Sequence, residues 1–283
     1  MVLFSLQRRA AALVLVVIVT GVISVVQTDR VHAKPIRWLF NGRGAAAIAT
    51  DAEGARLLQN ARPFVMKGQA VSVIPSHWNA LPFVSFTNFN AIRNALESGR
   101  IEADTKGVMY DYEKWEFTPQ QEQQNPGGYV KQAADLAHAR GLLFLTAPAV
   151  NLVTVIAPEK NGNRRFDTYL QLGIAADAAR YADVYDIQAQ GAEANTELYA
   201  NFVRQAAAQA RAANAKVMVL AGISTQPSGQ HVTADDIVRA IEATRDVVDG
   251  YWFNIPRPSQ YCPRCSDFRP DIAVEVLRRV AEH

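Results

Sequence analysis

The chain has 283 residues, 49% hydrophobic and 20% charged, with 16 Gly and 13 Pro, a composition that excludes a disordered, collagenous or disulfide-dense protein. The length suits one large domain or two small ones. With 29 basic and 27 acidic residues the net charge is +2; loss of residues 1–33 removes Arg8, Arg9, Arg30 and Asp29 and leaves 26 of each sign. A neutral remainder argues against nucleic acid and other polyanions as partners, since these need a basic face.

Arg8 and Arg9 precede an apolar run, Ala10 to Val26, interrupted by Thr20, Gly21 and Ser24. Val31-His32-Ala33 then supplies a small-residue cleavage site before Lys34-Pro35. This is the pattern of a secretory signal over residues 1–33. The alternative is an uncleaved anchor formed by residues 10–26, near the lower length limit for a bilayer span. Both readings make residues 34–283 secreted or extracytoplasmic. No later segment is long and apolar enough to suggest a span.

From residue 34 onward, short apolar runs alternate with Ala-rich amphipathic runs. Strands are expected at 37–41, 70–74, 83–87, 108–113, 142–148, 184–190, 216–223 and 251–255. Helices are clearest at Tyr129–Arg140, Thr168–Tyr181, Thr196–Ala213, Ala234–Val247 and Asp271–Ala281. Val130, Ala133, Ala134 and Ala137 share one helical face. Thr233 is placed as an N-cap with Asp235 and Asp236 in the first turn. Alternation of strand and helix predicts parallel strands with right-handed crossovers. Eight strands in about 250 residues give an α/β fold, a single (β/α)8 TIM-type barrel over residues 34–283.

In such a barrel, polar residues at the C-terminal strand ends read as site residues. Met109, Asp111 and Glu113 alternate on the fourth expected strand and project to one side. Two acids so placed repel each other, and one keeps its proton near neutrality, as a general acid requires. The pair should titrate in two coupled steps, the upper one above a free Glu near about 4.3. A buried structural pair held by Lys, Arg or backbone is the alternative. Thr118, Pro119 and Gln121 read as N-cap, N1 and N3 of a capping box, which sets Glu113 just ahead of a loop into the next helix.

Asp111-Tyr112-Glu113 at the end of a fourth barrel strand resembles the D-x-D-x-E strand of family 18 glycoside hydrolases, the chitinases and related endoglycosidases. The resemblance implies Glu113 as the acid and Asp111 as the partner that positions an acetamido group of the substrate. It also implies that Trp252, on the eighth strand, floors a sugar subsite. The family's first Asp is Met109 here. Its sixth-strand Tyr is not matched, because Tyr185-Asp186 begins that strand and Gln188 and Gln190 take the inward C-terminal positions.

Other residues are assigned to the same mouth. His77 and Trp78 follow the second expected strand and offer a hydrogen bond and a stacking face. Thr87-Asn88, Trp115, Asn151 and Asn254 follow or end other strands. Amides suit hydroxyl-rich ligands, although each also reads as a satisfied core group. Trp78 and Trp115 are alternatively loop anchors. The histidines form no H-E-x-x-H or close pair, so no catalytic metal is expected, and no motif calls for another cofactor. Cys262-Pro-Arg-Cys265 lies in a Pro-rich loop, Arg257–Arg269, with no second pair for zinc, and a local disulfide is expected. These features predict an exported hydrolase of glycans. A non-catalytic glycan- or partner-binding barrel and an anchored envelope protein are the other readings.

Overall fold

Eight parallel strands close on themselves in chain order, each paired with the next and the last with the first. The computed structural model describes residues 35–67, 74–160, 164–260 and 262–282. The first half runs β1 (Arg37–Asn41), α1 (Gly42–Thr50), α2 (Ala52–Leu57), β2 (Phe64–Lys67), β3 (Leu81–Phe86), α3 (Phe89–Glu97) and β4 (Gly107–Tyr112). It continues with α4 (Gln120–Gln124), α5 (Pro126–His138), β5 (Leu143–Pro148), α6 (Val153–Ile156), α7 (Arg165–Gln171) and α8 (Ile174–Ala179). The last third holds β6 (Val184–Ile187), α9 (Thr196–Ala213), β7 (Met218–Ser224), α10 (Ala234–Glu242), β8 (Gly250–Asn254) and α11 (Pro270–Ala281). The expected (β/α)8 barrel is the fold. The expected signal or anchor, residues 1–33, lies outside the described residues.

Strand alternation divides the core in two. Leu39, Phe64, Met66, Phe83, Met109, Leu145, Val184, Leu220 and Trp252 fill the barrel interior. The other parity, such as Phe40, Val65, Tyr110, Phe144, Tyr185 and Phe253, packs outward with the buried faces of the helices. Parallel strands are thus covered on both faces, which is why they read as continuous apolar runs. Closure depends on Gly250: a Cβ there would overlap the Arg37 carbonyl of the neighbouring strand.

Several elements depart from the expected positions. The second strand is Phe64–Lys67, not 70–74; residues 70–73 lie outside the described residues and Ile74 is in no strand. The sixth strand stops at Ile187, so Gln188 and Gln190 stand in the loop just beyond it. The helix expected over Thr168–Tyr181 is two helices, broken where Gly173 takes the left-handed φ of 67° that only Gly adopts without strain. The Thr233 cap is present as a full capping box with Asp236. The one expected at Thr118 is absent: Pro119 is the N-cap of α4, and the Thr118 hydroxyl is engaged elsewhere.

Candidate active site

At the C-terminal end of the barrel the interior changes from apolar to polar within one layer. Met109 pairs with Leu145 and Leu145 with Val184, forming an apolar floor across β4, β5 and β6. Two residues further along each strand stand Asp111, Ala147 and Asp186. Asp111 pairs with Ala147, whose small side chain lies on the strand between the two acids. Glu113 follows directly after β4. Asp111 and Glu113 keep accessible surface, whereas Asp186 is wholly enclosed.

All three carboxyls are held toward the protonated form. Burial is the leading cause for Asp111, followed by the charges of Glu113 and Asp186, with a hydrogen bond from Gln188 acting in the opposite sense. Burial also raises Glu113, against a hydrogen bond from Asn151. Asp186 is raised by burial alone, and neither of its oxygens has a hydrogen-bond partner among the described residues. Desolvation therefore leads, and the mutual repulsion expected from the sequence is the smaller contribution.

Amides fix the surroundings of these acids. Gln188 Nε2 donates to Asp111 Oδ1 and to the Ala147 carbonyl, each at 2.8 Å. Asn151 accepts from the Lys114 backbone N–H at 2.8 Å and donates to Glu113 Oε2 at 3.4 Å. The Thr118 hydroxyl donates to the Thr87 carbonyl and accepts from Trp115 Nε1, both at 2.7 Å, and also receives the Glu113 N–H at 3.3 Å. Trp115 is thus held within its own loop, edge-on to Phe117. Asn88 caps α3 through Ala91.

On the opposite wall, Asn41 Oδ1 accepts from Gly44 N at the start of α1, and Asn41 Nδ2 donates to Asn254 Oδ1 at 3.1 Å. Between the walls, Gln190 folds across Gly222 so closely that a Cβ on that glycine would overlap its amide. Glu193, fully enclosed, accepts from Gly191 N in the β6 loop and from Ser224 N at the end of β7, the latter at 2.8 Å. Burial raises Glu193 to about 7 despite these donors.

The structure brings Asp111, Glu113, Gln188, Gln190, Asn151 and Asn254 to one end of the barrel. His77 and Trp78 are a correction: they lie at the opposite end. Their carbonyls accept from the N–H groups of Asn60 and Arg62, ahead of β2, and Leu81 N donates to Pro63 O just after them. Because β2 lies earlier than expected, His77-Trp78 leads into β3 instead of leaving a strand at the mouth. Trp78 is fully buried with Nε1 donating to the Ala55 carbonyl at 3.0 Å, so it anchors a loop. Trp252 points inward one layer below Asn254, but only 7% of its surface is exposed and it packs in the interior cluster. Its Nε1 is enclosed with no partner among the described residues.

Asp186, Asn41 and Glu193 were not assigned from the sequence. Asp186 shares the parity of Gln188 and Gln190, so its inward direction was legible once the strand was placed. Asn41 ends β1 directly before a helix start, a cap position. Glu193 lies in a loop and carried no local signal. Cys262 and Cys265 form a disulfide. Gln226, from the loop after β7, holds the following residue, bonding Ser266 Oγ and Ser266 N at 3.0 Å each. Among the described residues no cluster of three or more His, Cys, Asp or Glu side chains is placed to hold a metal ion.

No family profile and no curated protein matches the chain. Solved structures of similar fold exist. A candidate α-L-fucosidase from Bacteroides thetaiotaomicron superposes with a TM-score of 0.50 at 10% identity, over 88% of this chain and 96% of its own. A chitinase from Chromobacterium violaceum gives 0.46 at 12% identity, over 88% and 99% of the two chains. Thiamine phosphate pyrophosphorylase from Pyrococcus furiosus gives 0.43 at 14% identity, over 88% and 96%. The strand order itself makes the fold a TIM barrel, and the solved structures similar to it include glycoside hydrolases and a barrel of other chemistry.

Proposed function

We propose that the chain is an exported glycoside hydrolase in which Glu113 is the general acid and Asp111 its partner. The observation that carries this reading is the pair of inward carboxyls at the end of β4, both partly open to the mouth and both raised toward the protonated form. A raised carboxyl keeps a proton near neutral pH and can deliver it to a glycosidic oxygen as the bond breaks. Asp111, fixed by Gln188, is the group that orients Glu113 or a neighbouring substituent of the sugar. Asp186 is enclosed and raised toward the protonated form by burial, which disfavours a third negative charge in the layer.

Turnover on N-acetylated glycans and then on neutral polysaccharides tests the reading. Activity that Glu113→Gln abolishes supports it; activity that this variant retains overturns the assignment of the acid. A second reading is favoured by Met109, which is fully buried at the position of the family's first acid. On that reading the barrel binds glycans without cleaving them, and the sign of it is bound sugar that survives long incubation intact. Export is tested by the mass of the mature chain, which should begin at Lys34; an intact N-terminus supports the anchor instead.

A further inference from the structure

The Gln188 amide has only one orientation compatible with its neighbours. One of the two atoms facing its Nε2 is the Ala147 carbonyl, which accepts and can never donate. A flipped amide would set oxygen against oxygen there, so both N–H groups are fixed toward Ala147 and Asp111 Oδ1. The consequence for Asp111 is directional. The carbonyl oxygen of a protonated carboxyl is the better acceptor of an N–H, so this contact favours Oδ2 as the seat of a proton on Asp111. The consequence for the mouth is that Gln188 Oε1 is left without a partner among the described residues, and it is not one of the enclosed polar atoms. Asn254 is its counterpart: its Oδ1 is taken by Asn41, which leaves Nδ2 as the atom to offer.

The inward strand-end positions carry no Lys or Arg among the described residues; they carry Asn41, Asp111, Asp186, Ser224 and Asn254. Lys67, at the end of β2, has the outward parity and pairs with Glu102 and Asp104. At these inward positions an anionic ligand would thus meet acceptors and acids with no cation among the described residues, exposed Lys114 standing in the loop just after Glu113; an anion set among them is costly in a partly desolvated site.

We propose that Gln188 is a positioning and specificity residue, whose Nε2 fixes the Asp111 carboxyl and whose Oε1 receives a hydroxyl or amide N–H of an uncharged sugar, so that the site takes neutral or N-acetylated glycans and refuses uronates. This rests on the glycan reading above, and the experiment separates the two.

Two measurements decide it. In the first, no ligand is used. The side-chain amide signals of Gln188 are followed by NMR as Asp111 is titrated in the otherwise unaltered chain. They should shift with the Asp111 midpoint, and Gln188→Met, close in shape but without the amide, should move that midpoint upward. A Gln188 signal indifferent to Asp111 overturns the positioning role. In the second, Glu113→Gln is used to prevent turnover, and tetrasaccharides of N-acetylglucosamine, glucose and galacturonic acid are titrated in. At least one uncharged tetrasaccharide should bind, the galacturonate at least about tenfold more weakly, and adding Gln188→Met should weaken the uncharged ligand by about tenfold or more. Equal binding of the uronate, or full retention of binding without the amide, overturns the specificity role. If no tetrasaccharide binds at all, the glycan reading and the specificity role fail together, while the first measurement still decides the hold on Asp111.

Discussion

On the β8–β1 side of the mouth, Asn41 accepts from the start of α1 and donates to Asn254 Oδ1, so donor meets acceptor within the protein. On the β4–β6 side, Asp111 and Glu113 have one amide contact each, at 2.8 and 3.4 Å, Asp186 has none, and no cation pairs with them among the described residues. The first arrangement resembles an ordinary stabilising network. The second is held at an energetic cost, because buried carboxyls without full partners must stay protonated. Unequal satisfaction of polar groups, more than their mere presence, marks the acidic wall as the place for chemistry. Each wall therefore answers differently to substitution, and the following tests can break that contrast or sharpen it.

The largest effect is expected on turnover. Glu113→Gln removes the donated proton and keeps the shape, so the rate on a cleaved glycan should fall roughly 10²–10⁴-fold, the usual size of a general-acid contribution. Thermal stability should change little, since the hydrogen bond from Asn151 is long and burial already favours the protonated form. A Glu113→Gln variant that loses stability but not activity would put Glu113 with the structural wall.

Next in size is a pH effect at the seam between the walls, where Glu193 ties the β6 loop to the end of β7. Its folded pKa is raised from 4.5 to about 7. A carboxyl of that kind binds its proton more tightly when folded, so its stabilising contribution is complete below the unfolded value and lost as pH rises through the folded one. The difference corresponds to roughly 3 kcal/mol across this interval. Denaturant unfolding at stepped pH should show stability falling between about 4.5 and 7, and Glu193→Gln should flatten part of that fall. Rising stability over the interval would contradict the assigned direction.

A smaller effect separates the walls by simple truncation. Asn41→Ala removes an N-cap and the partner of Asn254, and should cost about 1–2 kcal/mol of unfolding free energy. Asp186→Asn removes no hydrogen bond seen among the described residues. Near neutral pH it should cost less than Asn41→Ala, and it should remove part of the alkaline loss of stability. Equal costs for the two would erase the contrast.

The fold was legible because the outward and inward strand faces are both apolar, and seven of the eight strands stand out as short Val-, Leu- and aromatic-rich runs between helices. The second did not. Ala-Val-Ser-Val-Ile at 70–74 has the stronger β composition, yet Phe64–Lys67 forms the strand, because its inward Phe64 and Met66 fill the interior. That single displacement moved His77 and Trp78 from mouth to base. Asp111 and Glu113 were legible by parity and by their unusual company of acids. Glu193 and the Asn41–Asn254 pair were not, since their roles come from residues distant in sequence that only barrel closure brings together.

The smallest expected change concerns Gly222, which lies between the walls. A Cβ there would overlap the Gln190 amide, and the overlapped atoms are the far end of a flexible side chain. Backbone strain is no obstacle, since Gly222 is not among the residues with positive φ. Gln190 can therefore swing away into the mouth, and Gly222→Ala should cost under about 1 kcal/mol, because a rotamer change relieves the clash without moving a strand. By contrast, Gly250→Ala would meet the Arg37 carbonyl, which has no such freedom. The pair of variants makes the test internal: near-native unfolding for Gly222→Ala beside severe loss for Gly250→Ala. Gly222→Ala should also alter glycan binding, because the displaced Gln190 enters the space in front of Gly222 and Asn254. A large stability loss from Gly222→Ala would show instead that Gln190 is locked in place and belongs with the satisfied amides of the β8–β1 wall.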